Sequence, residues 1–183
     1  WQVVTSSLAA AELMAQQLPQ GAPIFAIGEK GLTEVLKEKG FELLSIQHAE
    51  KAEAVIMGLD RLINFEKMRE ATLLVRNGKP FFATNPDSTF PTPRGQIPGL
   101  GAWVSVIVTA TGVQPTFAGK PYPYILELAL QRLNTPKENT LVVGDRLETD
   151  IAGGQALGCP TALVLSGVTT QEQGIHWQPD VDV

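Results

Sequence analysis

Asp145 and Asp150 follow an apolar run that ends in glycine, Thr140-Leu141-Val142-Val143-Gly144. The glycine lets the backbone turn tightly. An acid just past the end of a buried strand projects into the crevice where open α/β sheets place their chemistry. Hard carboxylate oxygens in that position suit Mg2+, which takes one or two carboxylates and completes its shell with water and substrate phosphate. Asp150 falls near the start of the next helix, where it can bind backbone N–H groups or orient Asp145. Locally the same pattern also describes a turn residue followed by a helix N-terminal acid.

The second element is Gly119-Lys120-Pro121. A lysine between a strand end and a helix start reaches a phosphate as a point charge, although a lone lysine is equally a solvated surface group. The two elements gain meaning together. They lie 25 residues apart (145 − 120), the length of one strand–helix–strand step, and both point toward one crevice. Asn85 and Asp87 form a third candidate in Asn85-Pro86-Asp87, which also reads as simple turn chemistry. His48 and His176 are distant in sequence and have no Cys or acid at ligand spacing, which argues against zinc. Gly99-Leu100-Gly101 is half a dinucleotide fingerprint without its third glycine or its later acid. Trp103 reads as packing.

The elements that must position these residues alternate. A lead-in ending in Thr5-Ser6-Ser7 supplies a hydroxyl N-cap for a helix over residues 8–18, with Leu8, Ala11, Met14 and Leu18 on one face. Strands follow at residues 23–27, 41–46, 54–58 and 80–84. Helices fall at 31–39, closed by Gly40, and at 64–76, capped by Asn64. Residues 85–101 hold four prolines and three glycines and read as a long loop, of the kind that is functional or mobile in compact domains. A helix over 100–111 ends at Gly112. Beyond it come a strand at 115–118, a helix at 122–133 with Pro121 near its first turn, the strand before Asp145, a helix at 149–157 and a strand at 161–165. Residues 171–183 show no periodicity. The alternation predicts α/β with a largely parallel sheet.

Composition narrows the classes. The chain has 183 residues, 44% hydrophobic and 18% charged, with a net charge of −5. That suits a globular protein with one good core or two small ones. No Lys/Arg cluster offers a footprint for nucleic acid. The longest apolar run, residues 102–110, is too short for a membrane span of roughly 18–20 residues. The single Cys159 excludes an internal disulfide and fits a reducing, cytoplasmic setting. No signal peptide is visible. The chain opens on Trp1 and reads as an excised or processed piece.

Phe117-Ala118-Gly119-Lys120-Pro121-Tyr122-Pro123 and Val142-Val143-Gly144-Asp145-Arg146-Leu147-Glu148-Thr149-Asp150-Ile151 resemble the third and fourth motifs of the haloacid-dehalogenase-like (HAD) phosphatases. The resemblance points to their 4-nitrophenylphosphatase/NagD-like branch. Ala83-Thr84-Asn85-Pro86-Asp87, Phe90-Pro91-Thr92, Pro98-Gly99-Leu100-Gly101-Ala102 and Leu165-Ser166-Gly167-Val168-Thr169-Thr170 match the same branch, so the likeness covers nearly the whole chain. It implies a Rossmann-like core with an α/β cap domain. It also implies Mg2+-dependent hydrolysis of small phosphorylated metabolites through an aspartyl-phosphate. Lys120 then takes the charge-neutralising catalytic role, Asp145 and Asp150 the metal and supporting acidic roles, and Gly119, Asn85 and Asp87 the substrate-binding ones.

The departure from the family is large. Its first motif, an apolar strand ending Asp-x-Asp-Gly with the nucleophile, does not occur here, and neither does its second. Asp180-Val181-Asp182 has the spacing but lacks the glycine and the strand, and Thr5-Ser6-Ser7 matches the start of the cap. Residues 7–111 therefore read as the cap, and residues 112–183 with 1–6 as a partial core of three strands and two helices. The expectation is a fragment with little or no activity of its own. The alternative is a non-catalytic small-molecule-binding or dimerisation module. A sheet lacking a strand would expose unpaired backbone, so a homo-oligomer is expected.

Overall fold

The uninterrupted apolar run Ala54-Val55-Ile56-Met57 forms a strand buried along its whole length. A parallel sheet covered on both faces reads this way in sequence. The computed structural model describes residues 2–183. They form two compact units: Thr5–Ala118, and Gly119–Val183 together with residues 2–4.

In the first unit, α1 (Ser6–Gln17) starts where the Thr5 hydroxyl accepts the Leu8 N–H at 3.1 Å. The hydroxyl cap expected at Thr5-Ser6-Ser7 is thus Thr5. After it come β1 (Pro23–Ile27), α2 (Lys30–Glu38), β2 (Glu42–Leu43), a 3-10 segment (Ile46–Lys51), β3 (Ala54–Met57) and α3 (Phe65–Arg76). The unit continues with β4 (Phe81–Ala83), β5 (Thr89–Thr92), β6 (Gly95–Pro98), α4 (Leu100–Thr111) and β7 (Thr116–Phe117). The main sheet runs β2-β1-β3-β4-β7, every neighbour parallel.

Successive side chains of a strand point to opposite faces. Phe25, Ile27, Val55, Met57, Phe81 and Ala83 pack with Ala71 and Val75 of α3 and with Val104 and Ile107 of α4. Helices α1 and α2 bury Ala9, Ala10, Ala11, Met14, Leu32 and Leu36. The buried face of α1 is mostly alanine, which allows close approach, and Leu18 lies outside it. Truncating the fully buried Leu36 to Ala would cost about 2–5 kcal/mol.

Three local expectations change. The segment at 41–46 pairs only over Glu42–Leu43 before the 3-10 segment begins. The stretch at 85–101, expected as a loop, carries an antiparallel hairpin: Phe90 faces Ile97 and Thr92 faces Gly95. Prolines 91 and 98 fit because each strand of a two-stranded ribbon has a free edge, and Gly95 turns the chain at φ 119°. The strand beyond Gly112, β7, pairs with β4 and not with the strands that follow it. The first unit therefore extends to Ala118.

The second unit holds α5 (Tyr124–Leu133), β8 (Val142–Gly144), a π-helical turn (Leu147–Ile151), α6 (Ala152–Leu157), β9 (Thr161–Leu163) and α7 (Gln171–Ile175). Helix α5 begins after Pro123, two residues later than its expected start at 122. Strands β8 and β9 form a parallel pair. The tail read as aperiodic is ordered: Thr170 and Gln173 form a capping box at α7. Trp177 Nε1 donates to Gln155 Oε1 at 3.0 Å. Asp182 accepts from the Thr161 N–H at 2.7 Å and from its hydroxyl at 3.0 Å. Those bonds hold the Asp182 carboxyl below its ordinary range, so Asp182 clasps β9 in place. Among the described residues no helix is long and apolar enough to cross a membrane.

Candidate active site

Strand β8 ends in Gly144-Asp145, and the turn after it folds Asp150 back against that end. A Cβ on Gly144 would collide with the Asp150 side chain, so the approach needs glycine. The π-helical turn makes it possible: the Ile151 N–H reaches back to the Arg146 carbonyl at 3.3 Å, which also accepts the Asp150 N–H at 2.9 Å. Wide turns of this kind recur at functional sites. Asp150 is buried, and both its oxygens are engaged. Oδ1 accepts from Lys120 Nζ, and Oδ2 accepts the Arg146 N–H at 3.2 Å. The Lys120 side chain is 44% exposed, so its ammonium is anchored on one side and open to solvent on the other. Gly119, just before it, is buried, and its carbonyl accepts the Tyr122 N–H at 3.1 Å.

Asp145 is half-buried. Its Oδ2 accepts the Val168 N–H at 3.0 Å, and its carbonyl accepts the Thr169 N–H at 3.1 Å. No hydrogen bond engages its Oδ1 among the described residues.

A carboxylate held at one oxygen by a backbone N–H, with its other oxygen outside any hydrogen bond among the described residues, is a donor that fits Mg2+. That ion commonly uses one or two protein carboxylates and keeps several waters. Among the described residues no group of three His, Cys, Asp or Glu could hold a metal as an all-protein cage. Asp150, expected in a metal-binding and supporting acidic role, has Oδ1 in a hydrogen bond with Lys120 and Oδ2 in one with the Arg146 N–H.

Asn85 and Asp87 lie in the first unit, at the end of β4. Asn85 Oδ1 is buried without a hydrogen-bond partner. The Asp87 carbonyl accepts the Gly101 N–H at 2.7 Å. A Cβ on Gly99 or Gly101 would strike the Asp87 or Pro86 carbonyl, so this segment is packed onto the start of α4 and is more than a free turn. The structure thus brings Lys120, Asp145 and Asp150 together in one unit and Asn85 and Asp87 together in the other.

Sequence reasoning passed over two features. Gly167 and Val168 were read only as part of a matching stretch, yet they touch Asp145; a glycine in a turn just past a strand was the available signal. At the ends of β1 and β3, Arg61 grips Glu29, with Nε to Oε1 at 2.7 Å and Nη2 to Oε2 at 2.8 Å. These side-chain bonds, with the Arg61 N–H, hold the Glu29 carboxyl down to about 2.

Residues 117–183 match the HAD-hydrolase-like family model. The chain is 43% identical over 181 residues to the 5'-nucleotidase YutF of Bacillus subtilis, covering 99% of this chain and 68% of that protein. The chain belongs to the HAD-like hydrolases. Within them it groups with the 4-nitrophenylphosphatase/NagD-like branch. The thermostable NPPase of Geobacillus stearothermophilus superimposes with a TM-score of 0.90 at 43% identity, over 99% of this chain and 70% of that one. The glycerol phosphate phosphatase Rv1692 of Mycobacterium tuberculosis, solved with magnesium, superimposes with a TM-score of 0.91 at 38% identity, over 97% of this chain and 53% of that one. The chain therefore spans about two thirds of YutF and about half of Rv1692.

Proposed function

We propose that the chain is part of a Mg2+-dependent phosphatase acting on small phosphate monoesters, with its first unit as cap and its second as partial core. The observation that carries this reading is the anchored Lys120–Asp150 pair, with Asp150 packed against Gly144 next to Asp145, in a chain whose relatives are phosphatases. Phosphoryl transfer is mostly positioning and charge stabilisation, and these residues supply both. Asp145 would hold Mg2+ through Oδ1. When bound, Mg2+ supplies positive charge that offsets the phosphoryl group. Lys120 donates to a phosphoryl oxygen from the side of its ammonium that Asp150 leaves open. Asp150 fixes where that ammonium sits. Asn85 and Asp87, in the first unit, are the residues assigned to substrate binding. The single buried cysteine is in keeping with a cytoplasmic setting.

No apolar strand ending Asp-x-Asp-Gly occurs in the 183 residues, so the chain by itself supplies no nucleophile for an aspartyl-phosphate. The test is 4-nitrophenyl phosphate hydrolysis with Mg2+. The expected result is no turnover above a protein-free blank. Turnover that Asp145→Ala abolishes would overturn the claim of an inactive fragment.

A further inference from the structure

We infer that Gly167 is a positioning residue for the metal-binding carboxylate: its missing side chain leaves the space in which Asp145 Oδ2 receives the Val168 N–H. This rests on the reading of Asp145 as a metal ligand and adds a residue to it. The turn after β9 reaches Asp145 twice, through Val168 N–H to Oδ2 at 3.0 Å and Thr169 N–H to the carbonyl at 3.1 Å. Between those contacts and the strand stands Gly167. A Cβ built there would overlap the Asp145 carboxylate, meeting Oδ2, Cγ and Cβ together. The conformation of Gly167 does not require glycine, since its φ lies outside the left-handed region. Its surface is exposed, so neither core packing nor backbone strain accounts for glycine at this position. The three atoms nearest an added methyl all belong to the Asp145 side chain.

The consequence is geometric. With Oδ2 held by a backbone donor, Oδ1 stays turned to the position where a cation can use it. Groups that orient a metal ligand typically contribute about 10–100-fold to metal affinity. Gly167→Ala should displace the carboxylate and break the Val168 hydrogen bond, while the rest of the unit keeps its structure.

The experiment is Mn2+ titration of the 15N-labelled chain, reading paramagnetic broadening of the amides at residues 144–145 and 167–169, with Mg2+ as competitor. In the wild type, broadening centres on these amides and Mg2+ reverses it; Asp145→Asn abolishes it. Gly167→Ala should raise the Mn2+ concentration for half-broadening by about 10-fold or more, with amides of the first unit unshifted. Half-broadening within twofold of wild type would overturn the role of Gly167 while leaving the metal reading intact. No broadening at Asp145 in the wild type would overturn both. A thermal-melting cycle gives a second readout. Gly167→Ala should lower the melting temperature less in an Asp145→Gly background than in the wild type, and equal losses in the two backgrounds would contradict the steric link.

Discussion

Lys120 and Asp150 come from different strand–helix steps and meet at the end of β8, where the Lys120 ammonium donates to Asp150 Oδ1. The lysine is partly solvated and the carboxylate is nearly buried. The pair is therefore asymmetric: removing the lysine strands a buried charge, whereas removing the carboxylate frees a mobile cation.

Lys120→Met should destabilise the second unit by about 1–2 kcal/mol. That is below the 3–5 kcal/mol typical of a broken buried pair, because Lys120 keeps much of its surface in water. The urea midpoint measures it. Lys120→Met with Asp150→Leu should recover part of the loss, since no unpaired charge is then left behind. An unchanged midpoint in Lys120→Met would contradict the coupling.

Gly144→Ala should act through Asp150. The added methyl needs the space the Asp150 side chain occupies, so the carboxylate must move away from Lys120 and from the Arg146 N–H. Overpacking of this kind costs about 1–3 kcal/mol. The expected signature is a lower melting temperature together with shifted Lys120 and Arg146 resonances; a shift confined to Gly144 would count against it.

Acid should loosen the link between the ends of β1 and β3. Glu29 is held at about 2, below its ordinary 4.5, chiefly by hydrogen bonds from Arg61. A depressed carboxylate stabilises the folded state fully above its unfolded value, and that contribution is lost as pH falls from 4.5 toward 2. The pair is solvent-exposed, so the effect is modest. Titration of the Glu29 carboxyl carbon by NMR should show its midpoint returning toward 4.5 in Arg61→Ala; an unmoved midpoint would rule out Arg61 as the cause.

Strand β8 pairs with β9 alone among the described residues. Leu141, just before it, and Val143 within it are 51% and 56% exposed. An open strand edge with apolar side chains invites pairing with another chain. Light scattering after size exclusion should show concentration-dependent self-association, weakened by Val143→Lys. A monomer at all concentrations would contradict this.

Much of the fold was legible because its signals are local. The apolar runs at β1, β3 and β4 announce themselves, Asn64 caps α3 where expected, and Gly112 ends α4 in the left-handed conformation. Other features depend on partners far along the chain. Nothing in Thr116-Phe117 says that so short a strand will pair with β4. The prolines at 91 and 98 hid a hairpin, because an edge ribbon tolerates what a central strand does not. At the site, the spacing of Asp145 and Asp150 was readable, but the commitment of Asp150 to Lys120 and Arg146 depends on a π-helical turn that no composition signals. Gly167 was the least legible, since the group its Cβ would strike is the carboxylate of Asp145, far back in the sequence.

Lys120 and Asp145 are proposed to form a joint site for Mg2+ and a phosphoryl group. Its most direct test is amide NMR of this chain with Mg2+ and inorganic phosphate, added separately and together. Mg2+ should shift residues 144–145 and 167–169, and phosphate should shift residues 119–120 more strongly when Mg2+ is present. Shifts that avoid these residues, or phosphate binding that is unchanged by Mg2+ and by Asp145→Asn, would contradict it.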